Sequence, residues 1–272
     1  MGELVGEAEK AWSGIVGDPF PDGSVKPRTT RLTAVIDKGL GLAETQDLLE
    51  LAGDYLDYVK LAFGTSALYG RSLLGRKIQL IRAYGIHVYP GGTFLEVAYL
   101  QGRIPEFVTH AAALGFTALE VSDGTVTLPP EERSRAIRIG RAAGLTVLTE
   151  VGKKDTAAQK PAAELRRQLE QDLAEGATHV IVEGRESGKG VGIFDARGEV
   201  KEDDMEALAL DLPDPSVLIW EAPLKSQQEA LIARFGPDVN LGNVPTTEVL
   251  ALEALRRGLR GDTLRLYLER VK

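Results

Sequence analysis

The feature that most limits how this chain can fold is a unit repeated eight times. Each unit is a short β-branched or apolar run, then a polar or glycine-rich turn, then an amphipathic stretch of helical period. The runs fall at residues 32–36, 56–61, 86–89, 118–121, 146–151, 179–183, 217–221 and 239–241. The helical stretches fall near 44–52, 70–84, 94–114, 130–143, 162–175, 201–210, 225–235 and 246–259. Gly85, Gly115, Gly144, Gly176 and Gly236 stand just before the next run, where a left-handed residue ends a helix most cheaply if it lacks a Cβ. Strand–helix alternation of this kind builds a parallel sheet, and eight units predict an α/β fold, a single (β/α)8 TIM barrel. The rival, an open doubly wound sheet, carries Gly-x-Gly-x-x-Gly after its first strand; here that place reads Asp37-Lys-Gly-Leu-Gly41. A length of 272 residues suits one barrel. The predicted organisation is an N-terminal arm over residues 1–31 and a catalytic barrel over 32–272. The arm is rich in turn formers (Gly17, Pro19, Pro21, Gly23, Pro27), with a short amphipathic helix expected around residues 4–15.

Several function classes are excluded early. The chain has no cysteine, which removes disulfides, thiolate metal sites and thiol nucleophiles together. A formal net charge of −8 offers no global surface for nucleic acid or anionic membrane. No apolar run reaches a membrane span, and the first residues lack a signal peptide's pattern, so a cytoplasmic protein is expected.

The chemistry sits where the runs end. In a barrel, the C-terminal ends of the strands carry the active site. Here nearly every run ends in charged or polar residues: Asp37-Lys38, Lys60, Glu120-Val-Ser-Asp-Gly124, Glu150-Val-Gly-Lys-Lys154, residues 183–190, Glu221 and Asn240. Glu120, Glu150, Glu183 and Glu221 lie on four successive runs. Each is either an oxygen ligand for a hard cation such as Mg²⁺ or half of an ion pair bracing the rim. Glu150, Glu183 and Glu221 are the expected metal ligands. Period-two alternation puts Lys154 on the same side as Glu150 and Lys153 opposite. Positive charge at the rim (Lys38, Lys60, Lys153, Lys154, Arg185, Lys189, Lys225) focuses an anionic substrate there. Residues 184–190, with three glycines, Ser187, Lys189 and Arg185, read either as a phosphate-binding loop or as a surface turn. Lys38, Ser122, Lys153 and Asn240 complete the expected substrate-binding set. Ser122 has no histidine beside it in sequence, so it reads as a hydrogen-bond donor rather than a nucleophile.

These stretches resemble the phosphosulfolactate synthase family. The resemblance is carried by Asp37-Lys-Gly-Leu40, Asp57-Tyr-Val-Lys60, Gly64-Thr-Ser66, Val88-Tyr-Pro-Gly-Gly-Thr93, Glu120-Val-Ser-Asp-Gly124, Glu150-Val-Gly-Lys-Lys154, Glu183-Gly-Arg-Glu-Ser-Gly-Lys-Gly190, Glu221-Ala-Pro223, Lys225-Ser-Gln-Gln228 and Leu255-Arg-Arg-Gly-Leu-Arg-Gly-Asp262. It implies a Mg²⁺-dependent lyase that adds sulfite to phosphoenolpyruvate, giving (2R)-phospho-3-sulfolactate on a route to coenzyme M or sulfolactate. It also implies a homo-oligomer, and a general-acid lysine within Gly152-Lys-Lys154, which the alternation carries to Lys154. Lys60 and Glu150 join it in the expected catalytic set. A lysine in so basic a mouth is expected to have a depressed pKa. The same signature is shared with a plant heat-stress-associated group. The alternatives are therefore a non-catalytic stress protein, or another barrel lyase or aldolase acting on a small phosphorylated carboxylate.

Overall fold

In a computed structural model, residues 10–20, 25–209 and 212–270 are described. Eight parallel strands run β1 (Thr33–Asp37), β2 (Tyr58–Leu61), β3 (His87–Pro90), β4 (Ala118–Val121), β5 (Thr146–Val151), β6 (His179–Val182), β7 (Leu218–Glu221) and β8 (Leu241–Pro245). The helices are α1 (Leu42–Ala52), α2 (Arg71–Ala83), α3 (Gly92–Leu100), α4 (Ile104–Leu114), α5 (Pro130–Ala142), α6 (Ala162–Glu175), α7 (Glu202–Ala209), α8 (Lys225–Phe235), α9 (Val249–Arg256) and α10 (Gly261–Arg270). The strand order β3-β2-β1-β8-β7-β6-β5-β4 is a sheet curled almost into a closed ring. Its two ends meet where the Thr117 amide donates to the Val88 carbonyl at 3.1 Å. The expected TIM barrel is present.

Alternation along the strands sorts the side chains into two populations. Val35, Val59, Val88, Val180, Leu218 and Trp220 face out, into the large apolar cluster under the helices. Ala34, Tyr58, Tyr89, Ala118, Leu148, Ile181 and Ile219 face in and form a separate buried cluster that fills the barrel. Two residues further along β2, β4, β5, β6 and β7 come Lys60, Glu120, Glu150, Glu183 and Glu221, on the same inward side. The barrel is thus apolar through its middle and capped at its C-terminal end by one ionic layer.

Four expectations are corrected. The stretch 94–114 is two helices, broken at Gly102, whose φ of +67° lies in the left-handed region. Helix α10 had no counterpart in the pattern. The helix expected around residues 4–15 falls partly outside the described residues, and residues 11–15 form turns. Strand β8 starts at Leu241, two residues later than its apolar run suggested, because Val239 and Asn240 precede the ladder. That shift moves Asn240 to the N-terminal end of the barrel, opposite the mouth.

There Asn240 is buried and fully used. Its Oδ1 accepts from the Leu32 amide at 2.8 Å, and its Nδ2 donates to the Ser216 and Leu218 carbonyls at 2.6 and 3.1 Å. It ties the starts of β1, β7 and β8 together and does not contact a substrate in the mouth. Asn240→Ala should lower unfolding free energy by roughly 3 kcal/mol, since each orphaned buried backbone group costs about 1–3 kcal/mol. Chemical denaturation checks this, and kcat of the folded fraction should be unchanged. The arm closes the same end: Arg28 makes a two-point ion pair with Asp57 (3.0 and 2.5 Å), and Lys26 donates to the Gly53 carbonyl at 2.6 Å. Among the described residues no helix is long and apolar enough to cross a membrane.

Candidate active site

The ionic layer is built by the strands themselves. Lys60 Nζ lies 2.9 Å from Glu221 Oε1 and 3.2 Å from Glu120 Oε2. Lys154 follows Glu150 and Gly152 on the inward side of the chain, and its Nζ lies 2.9 Å from Glu150 Oε1 and 3.0 Å from Glu183 Oε2. All four carboxylates are buried, and Lys154 is the member of the layer that reaches water, with its side chain 29% exposed. Gly124 makes the close packing possible. A Cβ there would stand 2.8 Å from Lys154 Nζ and 2.9 Å from Glu150 Oε1.

Burial alone would depress the Lys154 ammonium, but Glu150, Glu183 and Glu120 outweigh it and hold the group well above the ordinary lysine value. The expected depression is therefore corrected: the inner mouth is acidic, not basic. Lys60 is likewise raised, with Glu120 and Glu221 overcoming its burial. The acids divide. Glu150 is driven below the usual carboxylate range because Lys154, Lys60 and the Ser122 hydroxyl outweigh its burial. Glu120 is pushed up to about 7, chiefly by burial against the pull of Lys60. Glu183 is raised by burial and by its neighbours Glu150 and Glu221.

These opposed shifts have one cause. Four buried carboxylates face two ammonium groups, so with all four ionised two negative charges would lack a partner, and in the metal-free layer Glu120 and Glu183 hold on to protons instead. Glu150, Glu183 and Glu221 each offer an oxygen within 4.8 Å of the others. Glu183 Oε2 and Glu120 Oε2 have a lysine near but no donor aligned on them. An all-oxygen set short of two positive charges, with an orphaned acceptor, fits a hard divalent cation.

Stripped of divalent cations, the protein should lose thermal stability as pH rises from 6.5 through about 7. An acid with a raised folded-state pKa contributes stability below its unfolded value and loses it as pH climbs through the folded one. Glu120 therefore gives a falling limb from about 4.5 to about 7, and Glu183 adds to it. His179, lowered to about 4 mainly by burial, and His87, lowered likewise, work in the opposite sense below the ordinary histidine value of 6.5. Above that pH the histidines no longer oppose the acids, and Lys26, lowered to about 8 by burial, opposes them only as pH approaches 8. Melting temperature in chelator should fall across this window, and millimolar Mg²⁺ should flatten the slope. A flat profile in chelator would contradict the charge deficit.

The other expected residues lie in different places. Ser122 is fully buried, with its Oγ 2.6 Å from Glu150 Oε1 and 2.9 Å from Glu96 Oε1. It braces the layer and does not face a substrate. Lys153 turns away, beneath the β4–α5 loop, where its Nζ meets the Asp123 carbonyl and carboxylate and the Val126 carbonyl. Its buried contacts leave it as a brace of β5, corrected from the expected substrate contact. Lys38 is exposed and pairs with Glu186, joining the β1 loop to the β6 loop across the mouth. Arg185, Ser187 and Lys189 are exposed on that β6 loop. Arg185 has a φ of +59°, and its amide donates to Glu183 Oε1 at 2.6 Å. Lys225, also counted with the rim, pairs with Glu229 and Asp262.

Sequence reasoning missed Glu96, Arg133 and Asp172. Arg133 is almost fully buried; it holds Asp172 at 2.6 Å and Asp123 at 3.1 Å and donates to the Glu150 carbonyl at 2.9 Å. The one available signal was Asp123, which falls inside Glu120-Val-Ser-Asp-Gly124.

Comparison with known proteins gives a consistent result. The chain matches the (2R)-phospho-3-sulfolactate synthase (ComA) family over residues 21–262. It is 48% identical over 234 residues to the phosphosulfolactate synthase of Methanocaldococcus jannaschii, covering 85% of this chain and 93% of that one. It is 45% identical over 246 residues to the phosphosulfolactate synthase of Methanothermobacter thermautotrophicus, covering 90% and 95%. Among solved structures, a phosphonopyruvate hydrolase in complex with oxalate and Mg++ superposes with a TM-score of 0.52 at 16% identity, covering 84% of this chain and 80% of that one. That likeness is one of fold.

Proposed function

Because the chain belongs to the phosphosulfolactate synthase family, its reaction is the addition of sulfite to phosphoenolpyruvate, and we propose that Glu150, Glu183 and Glu221 hold a Mg²⁺ ion for it while Lys154 supplies the proton. The enzyme is a carbon–sulfur lyase by this reaction. The observation that carries the reading is the ionic layer: three converging carboxylates with unmatched negative charge, and a protonated lysine between two of them.

In the reaction the sulfur lone pair of sulfite forms a bond to C3 of phosphoenolpyruvate. The C2–C3 π electrons move onto C2 and the carboxylate, and a proton adds to C2. A bound divalent cation supplies Lewis-acid stabilisation of that developing charge. Lys154 Nζ gives its proton to C2, becomes neutral and is reprotonated from water at the mouth. Its raised pKa keeps the proton on the amine until the carbanion-like centre appears, and Glu150 and Glu183 fix the face from which it approaches. Lys60 keeps Glu120 and Glu221 in place and partly neutralised. Arg185, Ser187 and Lys189, with Lys38 opposite, are the groups proposed to take the phosphate, since they are exposed at the mouth and rich in donors.

An imine-forming aldolase is disfavoured by the same geometry. A Schiff-base lysine must lose its proton to attack a carbonyl, and Lys60 and Lys154 are both held as ammonium ions by paired carboxylates. Folded protein incubated with phosphoenolpyruvate, sulfite and Mg²⁺ should remove the ultraviolet absorbance of the enol and form one product with a new carbon–sulfur bond. An unchanged absorbance would overturn the assignment.

A further inference from the structure

Glu96 is a carboxylate that the proposed chemistry does not use. It lies in α3, is 1% exposed and, among the described residues, makes no ion pair. A buried carboxylate without a cation is costly, so what it holds is informative. Its Oε2 accepts from the Thr125 and Val126 amides at 3.0 and 2.7 Å, and its Oε1 meets the Ser122 hydroxyl at 2.9 Å. Both contacts lead to the ionic layer. Ser122 Oγ is 2.6 Å from Glu150 Oε1, the oxygen that also receives Lys154. The loop that Glu96 pins by its amides grips the segment just after β5 by its carbonyls: Gly124 accepts from the Lys154 amide at 2.9 Å, and Val126 accepts from Lys153 Nζ at 3.1 Å.

We infer that Glu96 is a positioning residue, which acts through Ser122 and residues 122–126 to aim the Glu150 carboxylate and the Lys154 amine at the mouth. The inference rests on the reading of the site proposed above. Ser122 and Lys154 both meet the same oxygen of Glu150, Oε1, so the serine and the lysine together fix how that carboxylate is turned. Partners that orient a metal ligand from behind typically change metal affinity by about 10–100-fold when removed.

The test is a double-mutant cycle of Glu96→Ala and Ser122→Ala, with Glu96→Gln as the conservative control. It is read by Mn²⁺ titration of the metal-free protein in paramagnetic resonance and by kcat and KM for phosphoenolpyruvate. Glu96→Ala should weaken Mn²⁺ about 10–100-fold and lower kcat, with KM changing less. Glu96→Gln, which can still accept from the two amides and meet the serine, should recover most of the loss. The double variant should lose less than the sum of the two single losses, because the part of the effect that travels through that hydroxyl is counted in both. Full additivity, or a Glu96→Ala loss that tracks only the folded fraction, would overturn the inference. A wild-type protein that turns over without binding Mn²⁺ would instead sink the metal assignment and leave the kcat cycle to decide this one. A wild type that does neither would bring both readings down.

Discussion

Lys154→Met should lower kcat for sulfite addition by about 10²–10⁴-fold, the range by which a positioned general acid accelerates a reaction, and should leave the barrel folded. Methionine keeps the aliphatic length of lysine but carries no proton to deliver. Lys154 is partly open to water, so the change does not hollow the core. It does remove one of the two positive charges facing four carboxylates. The variant should therefore bind a divalent cation at least as tightly as the wild type, because the ion then faces a larger deficit. Steady-state kinetics and Mn²⁺ titration together separate this from a folding defect. Wild-type kcat in a folded Lys154→Met protein would remove the lysine from the mechanism, and would favour a protein whose role does not depend on this chemistry.

Glu183→Gln should produce the opposite pairing of effects. The side chain keeps its shape but loses a negative charge and one of its two acceptor oxygens. Divalent cation affinity should fall on the order of 100-fold or more, beyond what changes behind a ligand usually cost, and activity should return only partly at high Mg²⁺. Metal-free stability should rise, because the amide replaces a carboxyl whose ionised form is disfavoured by burial and by Glu150 and Glu221. Increased metal-free stability with lost metal binding is a combination that a simple structural brace does not give. If Glu183→Gln weakened the fold and left cation binding intact, Glu183 would be an ion-pair brace only.

Much of this is legible in the sequence, and the reasons are local. Period-two alternation puts Leu148 and Glu150 on one side of β5; Lys154 joins them and Lys153 turns away as expected, although the strand ends at Val151 and Gly152, at φ +118°, interrupts the alternation. The barrel followed from eight repeats, and the helix ends from glycines such as Gly115 and Gly176, both left-handed caps. What failed depended on contacts between distant segments. The apolar run at 239–241 puts Asn240 at the rim because such a run does not reveal where its ladder begins; the bond from Leu32 to its side chain decides that. The sequence suggests the wrong direction for the Lys154 pKa because counting lysines near strand ends ignores which of them turn inward. Lys38, Lys153 and Lys225 do not, and the carboxylates dominate. Glu96 carried no signal at all: it is a glutamate in the interior of a helix, with nothing in its neighbours to show that the α3 face meets the β4–α5 loop.

The most direct test of the account is the position of a single ion. A crystal of this protein grown with Mn²⁺ and phosphoenolpyruvate, measured at the manganese edge, should show one strong anomalous peak bounded by the carboxylates of Glu150, Glu183 and Glu221, within reach of the substrate. A peak held by other residues, or substrate bound in the mouth with no ion beside those three glutamates, would contradict it.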